Sequence, residues 1–205
     1  SQITNMFALF RDKTTFNSNI SNWDVSNVTT MNTMFRECNA FNQNIGGWNT
    51  GNVEDMRYMF YGAEAFNQPI GTWNVSKVTN MFRMFDSAIL FNQNINAWNV
   101  GNVTSMSFMF DAATAFNQPL NSWNVSSVTD MRFMFYQTSV FNQDISSWNV
   151  SGVTYMGNMF YNAYAFNQDL SSWDVSNVTD MERIFNATSL STTNYDAILN
   201  GWSAL

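Results

Sequence analysis

The sequence contains no histidine and only one cysteine, and these two shortages remove most familiar chemistry from its 205 residues. Without imidazole there is no Ser-His-Asp or Cys-His nucleophile and no histidine-ligated metal, and a lone thiol cannot close a disulfide within the chain. No cofactor is expected. Charge is also scarce, at 11% of residues, and basic charge most of all: eight Lys+Arg against fifteen Asp+Glu leave a net charge of -7. A field of that sign repels phosphate backbones and anionic membrane surfaces, so nucleic acid is not an expected partner. No apolar run approaches the roughly 18 residues that span a bilayer, and the opening SQITNMFALF has no basic stretch followed by an apolar one. Membrane insertion is therefore not expected either. What the chain does have is a 45% hydrophobic content, too high for a disordered tail.

Two prolines and nine glycines beside 17% aromatic residues make a skewed composition, the kind that internal repetition produces. Phe16, Phe41, Phe66, Phe91, Phe116, Phe141 and Phe166 recur at a constant step of 25, and so do Trp23, Trp48, Trp73, Trp98, Trp123, Trp148 and Trp173. The same register carries Met31 through Met181 and Phe35 through Phe185 without an insertion. Seven copies run from residue 16 to 190, after a partial first coil.

One copy reads FNQPLNSWNVSSVTDMRFMFYQTSV. In its second half Met131, Met134, Phe135 and Thr138 fall at i, i+3, i+4 and i+7, the stripe of an amphipathic helix, with Thr129 or Asp130 as N-cap. In its first half Trp123 and Val125 alternate with Asn124, which fits a very short strand. A single unit cannot bury its own aromatics, but stacked copies can. The expected fold is therefore α/β: a right-handed, leucine-rich-repeat-like solenoid over residues 1–190, with a C-terminal helical cap at 191–205. Strands stack roughly 4.8 Å apart and helices need roughly 8 to 10 Å, which places a parallel sheet on a concave side and helices on a convex one.

The pattern MxxMFxxAxxFNQxIxxWNVSNVTD resembles the 25-residue repeat of BspA-like leucine-rich-repeat surface proteins, and the final LSTTNYDAILNGWSAL resembles the closing segment of such arrays. The resemblance implies an extracellular or cell-surface setting and a role in adhesion or contact. The chain opens inside a repeat, as a piece of a longer protein would. Its open first coil is a candidate for pairing with another chain.

Repetition also sorts the residues by what they can do. Cys38 stands where Ala63, Ala88, Ala113 and Ala163 stand, and reads as a small buried residue. The asparagine after each repeat phenylalanine, followed by glutamine except at Ser18, reads as a ladder that satisfies turn backbone from coil to coil. Sequons such as Asn27-Val-Thr29 are by-products of the repeat.

Positions that vary are free to make individual contacts. On the expected helices Tyr61, Tyr136 and Tyr161 point about 160° away from the Met/Phe stripe, as candidates for binding a protein or glycan. Phe82, Phe108 and Phe133 lie nearer the flanks, as helix-to-helix packing. Asn49, Asn74, Asn99, Asn124 and Asn149 form a second candidate array on the expected sheet. Two acidic pairs, Asp86 with Asp111 and Asp144 with Asp169, have the composition of a glycosidase pair or a calcium site but lack further ligands. The expectation is a non-enzymatic recognition module, with a structural spacer as the alternative. An ice-binding face fits less well, because Glu54 interrupts the threonine column.

Overall fold

In the computed structural model, which describes residues 2–204, consecutive 25-residue repeats lie one above another as layers. Parallel bridges link Asn5, Thr30, Asp55, Asn80, Ser105, Asp130, Tyr155 and Asp180 in order, one contact per layer, and among the described residues they build no sheet. The repeats contain no helix either. The expected α/β architecture, with its concave sheet and convex helices, is therefore incorrect.

The reason lies in where the backbone amides go. In the segment expected to be helical, alternate amides reach the next layer: Met131, Phe133, Phe135 and Gln137 donate to the carbonyls of Tyr155, Gly157, Met159 and Tyr161 at 2.7 to 3.1 Å. The amides between them close tight turns, from Met134 to Met131, Tyr136 to Phe133 and Thr138 to Phe135. A helix would spend all of these amides on the carbonyl four residues back. Phe133 and Gln137 have φ of 58° and 54°, a left-handed conformation at the third residue of a turn, and the equivalent residues share it in every layer. Layers joined by direct backbone hydrogen bonds are too thin for helices, which would force them to helix-packing distance. Phe110 and Phe135, equivalent residues in adjacent layers, stack with centroids 5.7 Å apart.

The expected strand fails for a related reason. Trp123 and Val125 are buried and Asn124 is exposed, so the inward-outward alternation is real. The amides around them close local turns instead, Trp123 to Leu120 and Val128 to Val125. Asp130, one of the two candidates for a helix N-cap, carries the interlayer bridge.

The core is a set of columns. Met131, Met134, Phe135, Phe141, Trp148 and Val150 are buried, as are their equivalents through most of the chain. From Trp48 to Trp173 each repeat indole Nε1 donates to a carbonyl one layer back, as Trp98 does to Ile70 at 3.0 Å. The asparagine ladder joins the same layers: Asn67 Oδ1 accepts both the Asn92 amide at 3.0 Å and the Gln93 side chain at 2.8 Å.

The array ends on helix α1, Thr192–Ser203, whose N-cap Ser191 accepts from the Asn194 amide. α1 repeats the contacts that a further layer would make. Trp202 Nε1 donates to Leu170 O at 3.0 Å, the Ser191 amide to Asn167 Oδ1 at 2.8 Å, and Asn194 Nδ2 to the same oxygen at 3.0 Å. At the other end Trp23 is 39% exposed, whereas its repeat partners are 4% or less. Among the described residues no helix is long and apolar enough to cross a membrane.

The left-handed positions separate the two architectures experimentally. Ala112 has φ 52°, so Ala112→Gly should leave thermal stability unchanged or raise it, whereas in a helix the same change costs about 1 kcal/mol. Gly62 has φ 65°, and an added Cβ would come 2.7 Å from Glu37 Oε2, so Gly62→Ala should cost about 1 kcal/mol in a denaturant titration.

Candidate functional site

The columns that vary from layer to layer lie on the outward side of the turn ribbon, at the positions of Arg132, Phe133, Tyr136 and Gln137. Seven rings on this side form one continuous ridge. Tyr61 contacts Tyr58 at 6.0 Å, Tyr58 contacts Phe82 at 5.1 Å, and Phe82 contacts Phe108 at 5.8 Å. Phe108 stacks on Phe133 at 4.4 Å, Phe133 meets Tyr136 at 5.4 Å, and Tyr136 stacks on Tyr161 at 5.0 Å. All seven are half-buried. The phenylalanines thus pack between layers of turns, not between helices, and they join the tyrosines into a single surface. Tyr136 and Tyr161 are neighbours, whereas Tyr61 stands at the far end of the ridge. Tyr58, Phe108 and Phe133 hold φ of 56° to 58°, an uncommon conformation for bulky residues, because their amides are committed to the next layer.

The asparagine column is arranged differently. Asn49, Asn74, Asn99, Asn124 and Asn149 are exposed, and each Oδ1 accepts the amide of the residue two positions on, at 3.1 to 3.2 Å. This is the Asx turn, in which the side chain replaces a backbone acceptor. The column lies on turns and not on a sheet. Asp144 and Asp169 do the same for Ser146 and Ser171, at 2.9 and 2.8 Å. Among the described residues no group of three or more acidic or thiol side chains is placed to hold a metal ion.

The other acidic pair lies beside the ridge. Asp86 is buried, ion-paired with Arg83, and accepts from Ser87 Oγ at 2.8 Å. Arg83 also lies 4.0 Å above the Phe108 ring. One layer on, burial pushes the Asp111 carboxyl up from the usual 3.8 to about 7, helped by the charge of Asp86 and opposed by Arg83. An open depression of about 480 Å³ begins where the ridge begins, lined by Arg11, Thr33, Arg36, Tyr58, Tyr61 and Arg83. Sequence reasoning named Tyr61 but missed this depression, because residues 25 apart share no local signal beyond their common register. Cys38 is fully buried and donates to Phe10 O at 2.9 Å, and burial pushes its thiol up to about 11, which makes it unreactive.

A family model described as "Mycoplasma protein of unknown function, DUF285" matches the chain twice, over residues 1–98 and 80–202. The chain belongs to this family. Comparisons of this DUF285 chain with curated proteins and with solved structures return no match.

The raised Asp111 carboxyl has a pH signature. Between about pH 4 and 7 the folded chain holds a proton there that the unfolded chain has released, so stability falls as pH rises through this window. Asp111→Asn should remove that part of the decline. Melting temperatures of variant and wild type should agree near about pH 4 and diverge in the variant's favour by about pH 8. Parallel curves would contradict the assignment.

Proposed function

We propose that this chain is a non-enzymatic recognition module of a bacterial surface protein, and that it binds a protein or glycan through the aromatic ridge. The observation that carries this reading is the ridge itself. The columns that hold the layers together are buried or bonded to backbone, whereas the seven rings stay half-buried and in contact across five layers. Aromatic and arginine side chains supply most of the energy at recognition surfaces, and a contiguous apolar strip bordered by polar groups is the form such surfaces take. A surface location is supported by the resemblance of the repeat to BspA-like surface proteins. The asparagine column ranks below the ridge, because the Oδ1 atoms already serve their own turns.

A spacer role is the second reading, favoured by the regularity of the array and by α1, which closes it. The two readings differ in what the ridge is for. In a mixed glycan and surface-protein array, a Tyr61→Ala, Tyr136→Ala, Tyr161→Ala variant with native circular dichroism should lose at least tenfold of any specific binding shown by wild type. Binding unchanged in the variant would move the site to the asparagine column. No binding by either protein would favour the spacer.

A further inference from the structure

Of the six arginines, five face a carboxylate: Arg11 with Asp12, Arg57 with Asp55, Arg83 with Asp86, Arg132 with Asp130 and Arg183 with Glu182. Arg36 does not. Among the described residues its guanidinium meets no carboxylate and no hydrogen-bond acceptor, and its Nε is buried and unbonded. Its one described contact is the Tyr61 ring, 5.3 Å from the guanidinium carbon to the ring centre. The adjacent Glu37 makes no ion pair with it; the Glu37 carboxylate lies over Gly62. In a chain of net charge -7, with fifteen carboxylates available, an unmatched guanidinium is a binding group without its partner.

Arg36 lines the 480 Å³ depression together with Tyr58, Tyr61, Arg11 and Arg83. We propose that this depression binds a sugar acid, a pyranose ring carrying a single carboxylate. The carboxylate pairs with Arg36 and the ring lies against Tyr58 and Tyr61. The guanidinium fork matches a carboxylate in plane and spacing, and its terminal nitrogens are the donors left for a ligand. Tyrosine offers a flat apolar face with a polar tip, which suits a sugar ring with its hydroxyls. The volume falls within the range of small-ligand sites.

Two observations limit the charge of the ligand to one. The field of the whole chain repels dense polyanions. Asp86 and Asp111 follow Arg36 on the same column, two and three layers on, so a polymer charged at every unit would meet acidic side chains beyond the depression. An acidic peptide would supply the carboxylate but leave the tyrosine faces unused.

This inference rests on the recognition reading and is tested separately from it, by direct titration followed by nuclear magnetic resonance. The probes are glucuronate, glucose, acetate and acetyl-Asp-Gly-amide. Wild type should bind glucuronate with a dissociation constant in the millimolar range, and the other three at least tenfold more weakly. Arg36→Met, which keeps the aliphatic stem, should lose at least tenfold, and Arg36→Lys should recover part of the loss. Arg132→Met removes an arginine paired outside the depression and should bind as wild type does. Equal affinity for glucose or for the Asp peptide would overturn the proposal, as would glucuronate binding that survives Arg36→Met with an unchanged melting temperature. Array binding through Tyr136 and Tyr161 in a protein that ignores glucuronate would sink this pocket alone and leave the recognition reading intact.

Discussion

The structure depends on the hydrogen bond from one layer's amide to the next layer's carbonyl in the turn ribbon. Phe133 N–H reaches Gly157 O from a residue with φ of 58°, and Gln137 reaches Tyr161 from one with 54°. A left-handed residue costs an L-amino acid roughly 1 kcal/mol, and the chain accepts that cost twice in each layer. The return is that amides such as those of Met131, Phe133, Phe135 and Gln137 become crosslinks between layers, while the Met131, Met134, Phe135 and Thr138 side chains stay turned toward the core. Glycine would meet the geometric requirement more cheaply, yet among these positions only Gly62 uses it. The side chains there include Tyr58, Phe108 and Phe133, so a site of backbone strain is also where the ridge obtains three of its seven rings.

Thin layers dictate the interior. Equivalent residues of adjacent layers face each other, so each inward position becomes a column that one side-chain type must fill: Phe135 stacks on Phe160 at 5.6 Å, and Trp148 on Trp173 at 6.4 Å. A buried polar atom repeated in every layer must be satisfied in every layer. The indole N–H finds a carbonyl one layer back, and each ladder asparagine accepts two bonds from the layer ahead. α1 shows that these polar contacts, more than the backbone path, define what a terminal layer must present. A helix cannot continue the ribbon, but it delivers Trp202, Asn194 and the Ser191 amide to the acceptors that a further repeat would have used.

Much of this was legible in the sequence, and the error is instructive. The period of 25, the buried columns, the Asn-Gln ladder and the outward placement of most variable residues follow from the pattern of residues, although Asp86, on the same column as Tyr61, is buried. The helix does not, because Met131, Met134, Phe135 and Thr138 at i, i+3, i+4 and i+7 fit two architectures equally. A helix repeats every 3.6 residues and a ribbon of consecutive turns every four, and over a span of eight residues these periods place the same side chains inward. Sequence spacing could decide only if the thickness of a layer were known. That thickness is set by bonds between residues 24 apart. The strand reading failed similarly: alternation at Trp123, Asn124 and Val125 reports which side chains face in, not where their amides bond. The Arg36 depression was out of reach because it is assembled from four layers.

The same constraint explains why function, if it is recognition, should collect on one side of the ribbon. A change at Phe135 must be tolerated by the rings above and below it, and a change at Asn92 breaks two bonds to the layer ahead. A change at Tyr136 meets the Phe133 and Tyr161 rings at the surface. That column accordingly runs Arg36, Tyr61, Asp86, Asp111, Tyr136, Tyr161 and Asn186, through cation, ring, acid and amide. Adjacent members still interact, and so chemistry along the column is correlated over one layer: Arg36 lies against Tyr61, burial and then the charge of Asp86 raise the carboxyl of Asp111, and Tyr136 stacks on Tyr161. A rigid interior thus presents a surface whose properties change in steps of one layer. Distinct patches can sit side by side on one frame, with the arginine depression at one end of the ridge and paired tyrosine rings at the other.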